Sequence, residues 1–461
     1  MRTLITLILA AGTVLPTLAQ SGPGASTVPV PAAAAVPAAP KAAEPFAFAD
    51  FTWLQGNPRT KDAPLDSKVF TGEFRADTNL VYSFNHPQDN TLVGSSELGR
   101  VNEVQVQQLG IGGDFHWDNV RGRLMTQFGL LSTMTPRNDA STAKGQWQTD
   151  NAYRYVSEAY GGYHWDVLNG LNVDAGIFMS YIGLFGFYNF DNWAYQPSYV
   201  SSNTPWFFNG VRIQLFPSDK LKFELWLTNG WQSYNTFNNT PGIGGSLNWR
   251  PNGSINVISN NYFIGADAPG IQKRTRRHTD NSIQVKYYDL PGAFLDKAAF
   301  TFTFDLGDEQ GGGVSRSGND PSAPKQAFTG WMFYNRLWFS GDRHALTIGG
   351  GEITNPGRYL VLMPPVNGAT AASGTPYFTE NPGDKWHSWD YSITYDYMPS
   401  QFITMRSEFN RRGANVPYFA GPGGVTPPGG NQGAPGSVVA NWAPDLRKTE
   451  SRITLAMLVK F

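Results

Sequence analysis

From Phe70 to Phe84 the even positions read Phe, Gly, Phe, Ala, Thr, Leu, Tyr, Phe, while Thr71, Glu73, Arg75, Asp77, Asn79, Val81 and Ser83 fill the odd ones. Successive side chains of a strand point to opposite faces, so this stretch predicts one apolar wall and one polar wall. At fifteen residues it is far longer than the roughly 5–6 of a typical globular strand. The chain ends in the same way, with Ile453, Leu455, Met457, Val459 and Phe461 alternating with Arg452, Thr454, Ala456, Leu458 and Lys460. Phe300, Phe302, Phe304 and Leu306 against Thr301, Thr303 and Asp305 repeat the pattern. So do Trp389, Tyr391, Ile393, Tyr395 and Tyr397 against Asp390, Ser392, Thr394 and Asp396.

Carried along the chain, this template predicts sixteen strands, near 70–84, 104–117, 121–131, 153–165, 171–178, 206–216, 221–228, 243–250, 255–264, 278–288, 298–307, 328–339, 344–352, 387–397, 402–410 and 449–461. Even strands are followed by short turns with turn chemistry, among them Asp118-Asn119, Leu168-Asn169-Gly170, Pro251-Asn252-Gly253 and Ser340-Gly341-Asp342. Odd strands run into longer connections, several rich in Gly, Pro and Asn, such as 308–325, 353–386 and 411–448. Backbone that crosses a bilayer must pair all its polar groups internally, which leaves only helices or a closed barrel. An even number of antiparallel strands with short turns at one end and long loops at the other is the barrel solution. Sixteen strands leave an aqueous lumen, where eight would be filled by side chains. The predicted fold is therefore all-β, a transmembrane antiparallel β-barrel of about 16 strands.

Composition fits the same picture. Only 15% of the 461 residues are charged, against roughly 25% in soluble domains. There are 30 Phe, 20 Tyr and 14 Trp, yet mean hydropathy is −0.33, too polar for a helical membrane protein. A lipid-facing wall, a wet wall and wet loops average to these values. The formal net charge of −1 offers no field for nucleic acid, and the absence of Cys excludes disulfides and thiol chemistry.

The N-terminus reads as targeting sequence. Met1-Arg2-Thr3, the apolar run Leu4–Leu15 and the small-residue site near Thr17-Leu18-Ala19 predict a cleaved signal peptide over 1–20. Residues 21–49, mostly Ala, Pro and Val, predict a disordered periplasmic leader. A periplasmic lead-in segment over 50–69 follows, and the barrel occupies 70–461. The terminal amphipathic strand ending in Phe461 resembles the assembly signal of Gram-negative outer-membrane barrels, which implies recognition by the barrel-assembly machinery.

Several stretches carry a family resemblance. They are Asp50-Phe51-Thr52-Trp53-Leu54-Gln55-Gly56-Asn57, Phe74-Arg75-Ala76-Asp77, Tyr82-Ser83-Phe84-Asn85-His86-Pro87 and Glu158-Ala159-Tyr160-Gly161-Gly162-Tyr163-His164. Asn169-Gly170-Leu171-Asn172-Val173-Asp174-Ala175-Gly176, Ser202-Asn203-Thr204-Pro205, Asn209-Gly210-Val211-Arg212 and Asn229-Gly230-Trp231 continue it. The chain resembles the OmpL-like outer-membrane β-barrel porins over most of 50–265. The resemblance implies a porin in the Gram-negative outer membrane. It departs from the family pattern near 180–184, where Tyr181, Leu184 and Phe185 stand in place of a Pro and an acidic residue.

If the apolar face meets lipid, the other face lines the pore. The predicted inward bases are Arg75, Arg121, Arg123, Arg212, Lys222, Arg250, Lys286, Arg336, Arg406, Arg452 and Lys460. The predicted inward acids are Glu73, Asp77, Asp114, Glu158, Asp174, Glu224, Asp280, Asp305, Asp390, Asp396, Glu408 and Glu450. Their near balance predicts a wet channel of weak ion selectivity, with cross-strand pairs stiffening the wall. The connection from about 179 to 205 carries Phe185, Phe187, Tyr188, Phe190, Trp193, Tyr195 and Tyr199, with Asp191 its only charge. So aromatic a segment packs against protein, either inside the barrel as a constriction or outside as a lobe or subunit contact. Lys273-Arg274-Thr275-Arg276-Arg277-His278 is the one basic run; on an outer loop it would neutralise lipopolysaccharide phosphates. The Gly/Pro-rich stretch 421–436 could serve as a gate or an adhesive tip.

Signals for catalysis are poor. The six His show no metal-ligand spacing, no nucleophile elbow occurs, and neither metal nor cofactor is expected. The function read from the residues is an outer-membrane porin, a water-filled channel for passive diffusion of small hydrophilic solutes and ions. It would contact outer-membrane lipid and lipopolysaccharide but no nucleic acid, and general porins suggest a homotrimer. The competing readings are an adhesin or structural barrel acting through its outer loops, and a surface hydrolase using His116 or His164 beside a wall Ser.

Overall fold

The computed structural model describes residues 44–266, 271–358, 362–378 and 383–461; the predicted signal peptide and most of the leader lie outside that range. Among the described residues, sixteen strands close into one antiparallel barrel. In chain order they are β1 (Phe70–Ser83), β2 (Val104–Trp117), β3 (Val120–Thr126), β4 (Val156–Trp165), β5 (Leu171–Met179), β6 (Phe207–Ser218), β7 (Leu221–Thr228), β8 (Gly242–Asn252), β9 (Ile255–Ala266) and β10 (Thr275–Asp289). β11 (Leu295–Gln310), β12 (Ala327–Phe339), β13 (His344–Asn355), β14 (Trp386–Ser400), β15 (Ile403–Ala414) and β18 (Thr449–Lys460) complete it. Between β15 and β18 the loop carries a small ribbon, β16 (Phe419–Ala420) paired with β17 (Leu446–Arg447), which periodicity does not reveal.

Each strand pairs with its neighbours, and β1 closes on β18 with Thr78 opposite Met457 and Leu80 opposite Leu455. A closed ring leaves no strand edge unpaired, as a bilayer requires. The period-two pattern sorts side chains as the sequence predicts. Leu80, Tyr82, Phe302, Phe304, Tyr391, Ile393, Leu455 and Met457 stand exposed on the outer surface. Their partners in the alternation, such as Asn79, Thr301, Thr303, Ser392 and Thr454, are buried inside.

Departures from the predicted boundaries have local causes. β3 stops at Thr126 because Gly129 takes φ +87° and starts the turn into helix α1 (Leu131–Arg137). A second short helix, α2 (Thr149–Tyr153), displaces the start of β4 to Val156. At the short-turn end, Pro217, Pro251 and Pro399 lie within strand ends instead of in the turns. Each sits at a register shift, where a residue without an N–H interrupts no ladder bond. At the long-loop end, β10 starts three residues early, β11 runs three residues further and β15 runs four further than the pattern predicts.

Candidate functional site: a lumen occupied by its own chain

The connection between β5 and β6, residues 180–206, turns into the barrel. Trp193 and Tyr195 are fully buried, and Phe185, Phe187 and Phe190 nearly so. Trp193 packs edge-on against Trp338 of β12 at 5.5 Å between ring centroids, and Phe185 does the same against Tyr334 at 5.0 Å. The apolar rings explain why the segment leaves water; its backbone and polar atoms explain how the polar wall accepts it. Tyr195 donates its hydroxyl to Asp77 at 2.8 Å and receives the Asn79 amide at 2.8 Å. The backbone N–H groups of Tyr195 and Gln196 donate to Glu408 at 2.6 and 2.9 Å. Further on, the Ser198 hydroxyl and the Tyr199 N–H both donate to Asp390, at 2.9 and 2.8 Å. Tyr199 opens the single-turn helix α3 (Tyr199–Ser202).

Asp191, the only charge of this loop, lies between Arg75 of β1 at 2.8 Å and Lys460 of β18 at 3.2 Å. Burial pushes its carboxyl up, but these two cations outweigh burial and hold it below the usual range. Arg75 also meets Glu73 and stacks 4.0 Å from the Tyr188 ring centroid, and Tyr188 donates its hydroxyl to Glu158 at 2.8 Å.

The predicted inward charges all lie on the inner wall, most of them in ion pairs. Arg123 binds Glu73, Asp114 and Glu158 at 2.9, 2.8 and 2.9 Å. Asp174 is shared by Arg121 at 3.2 Å and Arg212 at 2.8 Å, and Lys222 meets Glu224 at 2.7 Å. Arg336 binds one oxygen of Asp396 at 2.8 Å, and Arg406 binds both, at 2.7 and 2.9 Å. Arg250 instead lies over two aromatic rings, Phe46 and Phe51, each at 4.5 Å. One expectation is corrected here. On β12, β14, β15 and β18 these charges face the inserted loop in place of water, so Arg336, Asp396, Arg406 and Arg452 are all at most 1% exposed.

A second segment crosses the lumen at the short-turn end. Residues 44–66 run from the β6–β7 turn, where the Phe46 N–H donates to the Asp219 carbonyl at 2.7 Å, past Gly253, which accepts from the Trp53 indole at 3.1 Å. They continue to the β14–β15 turn, where Asn57 donates to the Ser400 carbonyl at 3.2 Å and Thr60 to the Gln401 carbonyl at 2.6 Å. In the strand order those two turns lie half a ring apart, so the segment is a strap across the diameter. It is tied to the inserted loop as well: the Gly56 N–H donates to the Asp191 carbonyl at 2.9 Å. Arg336 donates to the Gly56 carbonyl at 2.7 Å and to the Trp193 carbonyl at 3.1 Å. A Cβ at Gly56 would run into the carbonyl oxygens of Phe190 and Asn192, so glycine lets strap and loop touch.

Between the inserted loop and the β4–β6 wall a chamber of about 290 Å³ remains, lined by Glu158, Met179, Tyr188, Asp191 and Trp206 among others. Only Lys273 and Arg274 of the basic run lie in the β9–β10 connection; Thr275 onward is already β10, where Arg276 and His278 turn inward, and these two and Arg274 are buried while Lys273 and Arg277 are exposed. Sequence reasoning missed Arg412 and Glu309 as inner-wall charges. Both continue the period-two phase of Arg406–Glu408 and Asp305 beyond the predicted strand ends, which is the signal that would have found them.

Among the described residues, neither candidate hydrolase His is hydrogen-bonded to a Ser. The nearest hydroxyl partner of His116 is Thr71 at 3.2 Å, and His164 bonds Asn172 at 2.8 Å and Asp166 at 3.3 Å. Among the described residues no group of three His, Asp or Glu is placed to hold a metal.

An even-stranded closed barrel with an apolar outer belt and a charged, loop-narrowed interior defines a channel-type protein of the Gram-negative outer membrane. The profile of the putative beta-barrel porin-2, OmpL-like family matches residues 75–440, and the chain belongs to that family. No curated protein matches the sequence. Among solved structures the chain is similar to the outer membrane channel DcaP of Acinetobacter baumannii, at 11% identity and TM-score 0.46 over 87% of this chain and 100% of that one. It is also similar to an anion-selective porin from Comamonas acidovorans, at 10% identity and TM-score 0.47 over 85% and 99%. A third is OmpT of Vibrio cholerae, at 9% identity and TM-score 0.44 over 86% and 99%.

Proposed function

We propose that this outer-membrane channel passes small hydrophilic solutes and ions by passive diffusion, through a bore set jointly by the inserted loop and the strap. The observation that carries the reading is the inner wall itself. A ring of charged and amide side chains surrounds a core assembled from the chain's own loop, leaving a chamber lined by both polar and apolar side chains, Glu158 and Asp191 among them. Acids and bases on that wall are nearly balanced and largely paired, which favours weak ion selectivity.

Planar-bilayer recording of the refolded protein tests this: discrete ion-conducting steps are expected, and their complete absence would refute it. A barrel that conducts nothing even with strap and loop loosened would be a structural or adhesive one working through its outer loops. Phe461 stacks on Phe402 at 5.2 Å and packs near Phe74 at 6.1 Å at the seam where β18 closes the ring, a position suited to an assembly signal. Homotrimeric assembly and lipopolysaccharide contact belong to the same reading. Chemical crosslinking in native outer membranes would check the trimer.

A further inference from the structure

Towards its long-loop end the lumen holds a second cavity, of about 190 Å³, beside the chamber of about 290 Å³ described above. Asn138, Ile271, Leu362 and Ala371 of the long connections help to line the cavity, whereas the chamber is walled mostly by residues 180–206. Among the described residues two line both spaces, Thr204 and Trp206, where the inserted loop leaves the lumen and β6 begins. The backbone of Trp206 is pinned from two sides. Its N–H donates to the Gln232 side-chain carbonyl at 2.8 Å, and its carbonyl accepts from the Ser180 N–H at 2.9 Å. The ring packs edge-on against Phe187 at 5.0 Å between centroids, and the residue keeps 9% of its surface exposed. On the chamber side there is room at Gly186, which is exposed, takes no positive φ and would meet nothing within 4 Å if it carried a Cβ. The opposite wall offers no such room: Thr347, Ser392 and Arg406, inward on β13, β14 and β15, are at most 1% exposed.

We propose that Trp206 is the size-limiting partition on the solute's route: cavity and chamber lie in series, and a solute passes from one to the other by turning the Trp206 indole aside. The inference deepens the channel reading and rests on it. The hydrogen bonds that hold Trp206 are made by its backbone, so a change of side-chain rotamer opens the partition without releasing the loop that carries it. Since a water takes about 30 Å³ of liquid, the cavity and the chamber hold roughly six and ten waters, the bulk of one small polar solute each. A ring standing between two such spaces sorts solutes by width, and it acts on neutral and charged ones alike.

The test is liposome swelling with the refolded full chain and two neutral sugars, the pentose arabinose and the trisaccharide raffinose. The ratio of their entry rates does not depend on how much protein inserts. Trp206→Ala should raise the raffinose-to-arabinose ratio by at least about threefold, and Trp206→Phe, which keeps a ring, should stay within about twofold of the wild type. Gly186→Trp adds a ring in open space and should cut unit conductance by about half or more. A gain in one variant and a loss in the other cannot both come from misfolding. An unchanged ratio in Trp206→Ala, or unchanged unit conductance in Gly186→Trp, in protein that retains the gel shift of a folded barrel, would overturn the proposal. The two readings fail separately. Arabinose entry through the wild type with an unchanged ratio in Trp206→Ala removes the partition and leaves the channel. Entry through Trp206→Ala but not through the wild type keeps the partition and sinks passive diffusion. No entry and no conductance in either sinks both.

Discussion

Asp396 holds together the two arginines that clamp both inserted segments, so Asp396→Asn should loosen the lumen plug. Its carboxylate is fully buried between Arg336 at 2.8 Å and Arg406 at 2.7 Å. From there Arg336 reaches the strap at Gly56 and the loop at Trp193, while Arg406 reaches the loop carbonyls of Asn189 and Asn192 at 3.1 and 2.7 Å. Asparagine keeps the shape but removes the charge, and in either orientation it turns an N–H₂ group toward the Arg406 guanidinium, which binds both oxygens. Removing one member of a buried ion pair costs about 3–5 kcal/mol, because the remaining charge stays desolvated. Here the arginines can recover water by releasing the backbone carbonyls they hold, so the lower end applies, about 3 kcal/mol. Drawn from the clamped state alone, that shifts the balance between clamped and released plug by roughly a hundredfold. Single-channel recording is the assay: longer or larger conducting states are expected in Asp396→Asn than in the wild type. An unchanged distribution of conductance and dwell times, in protein that retains the gel shift of a folded barrel, would refute the clamp.

Deleting residues 44–62 removes the strap while leaving every barrel strand intact, and unit conductance should rise; equal conductance would mean that the strap does not narrow the bore. Phe461→Ala should reduce the amount of barrel reaching the outer membrane in cells but not the yield of refolding in vitro, because recognition, not ring closure, is what it removes. Loss in both settings would assign Phe461 to packing at the seam. In the outer loop between β3 and β4, Asp139 caps the Ser141 backbone at 2.8 Å and receives the Ser141 hydroxyl at 2.9 Å. Burial pushes its carboxyl from 3.8 up to about 6, against the opposing pull of its Ser141 and Tyr234 bonds. A raised carboxyl favours the folded loop when protonated, so local stability is greatest below about 4 and declines as pH rises through 6. Amide exchange near residues 139–141, corrected for its intrinsic pH dependence, should show stronger protection at pH 4.5 than at 7.5; the opposite order would refute the assignment.

How far the sequence speaks is clearest in single residues. Arg75, Asp77 and Asn79 declare their inward face because Phe74, Ala76, Thr78 and Leu80 between them declare the other, and that rule needs only neighbours. The same rule, followed two residues further, would have placed Arg412 and Glu309. Loop positions obey no such period. Nothing in the order of residues says that Asp191 meets Arg75, 116 positions away, or that Arg336 holds Gly56 at a separation of 280.

The sequence by itself therefore determined the strands, their faces and the closed class of fold, because pleat geometry and the bilayer's demand for paired backbone act locally. Only the tertiary structure decided what the inner wall confronts. An aromatic loop gains more by leaving water than it loses by ordering, provided the wall supplies partners for its backbone. Asp390, Glu408, Arg336 and Arg406 supply them. Charges that alternation marks as facing water become the anchors of a plug, held by contacts between residues as far as 280 positions apart.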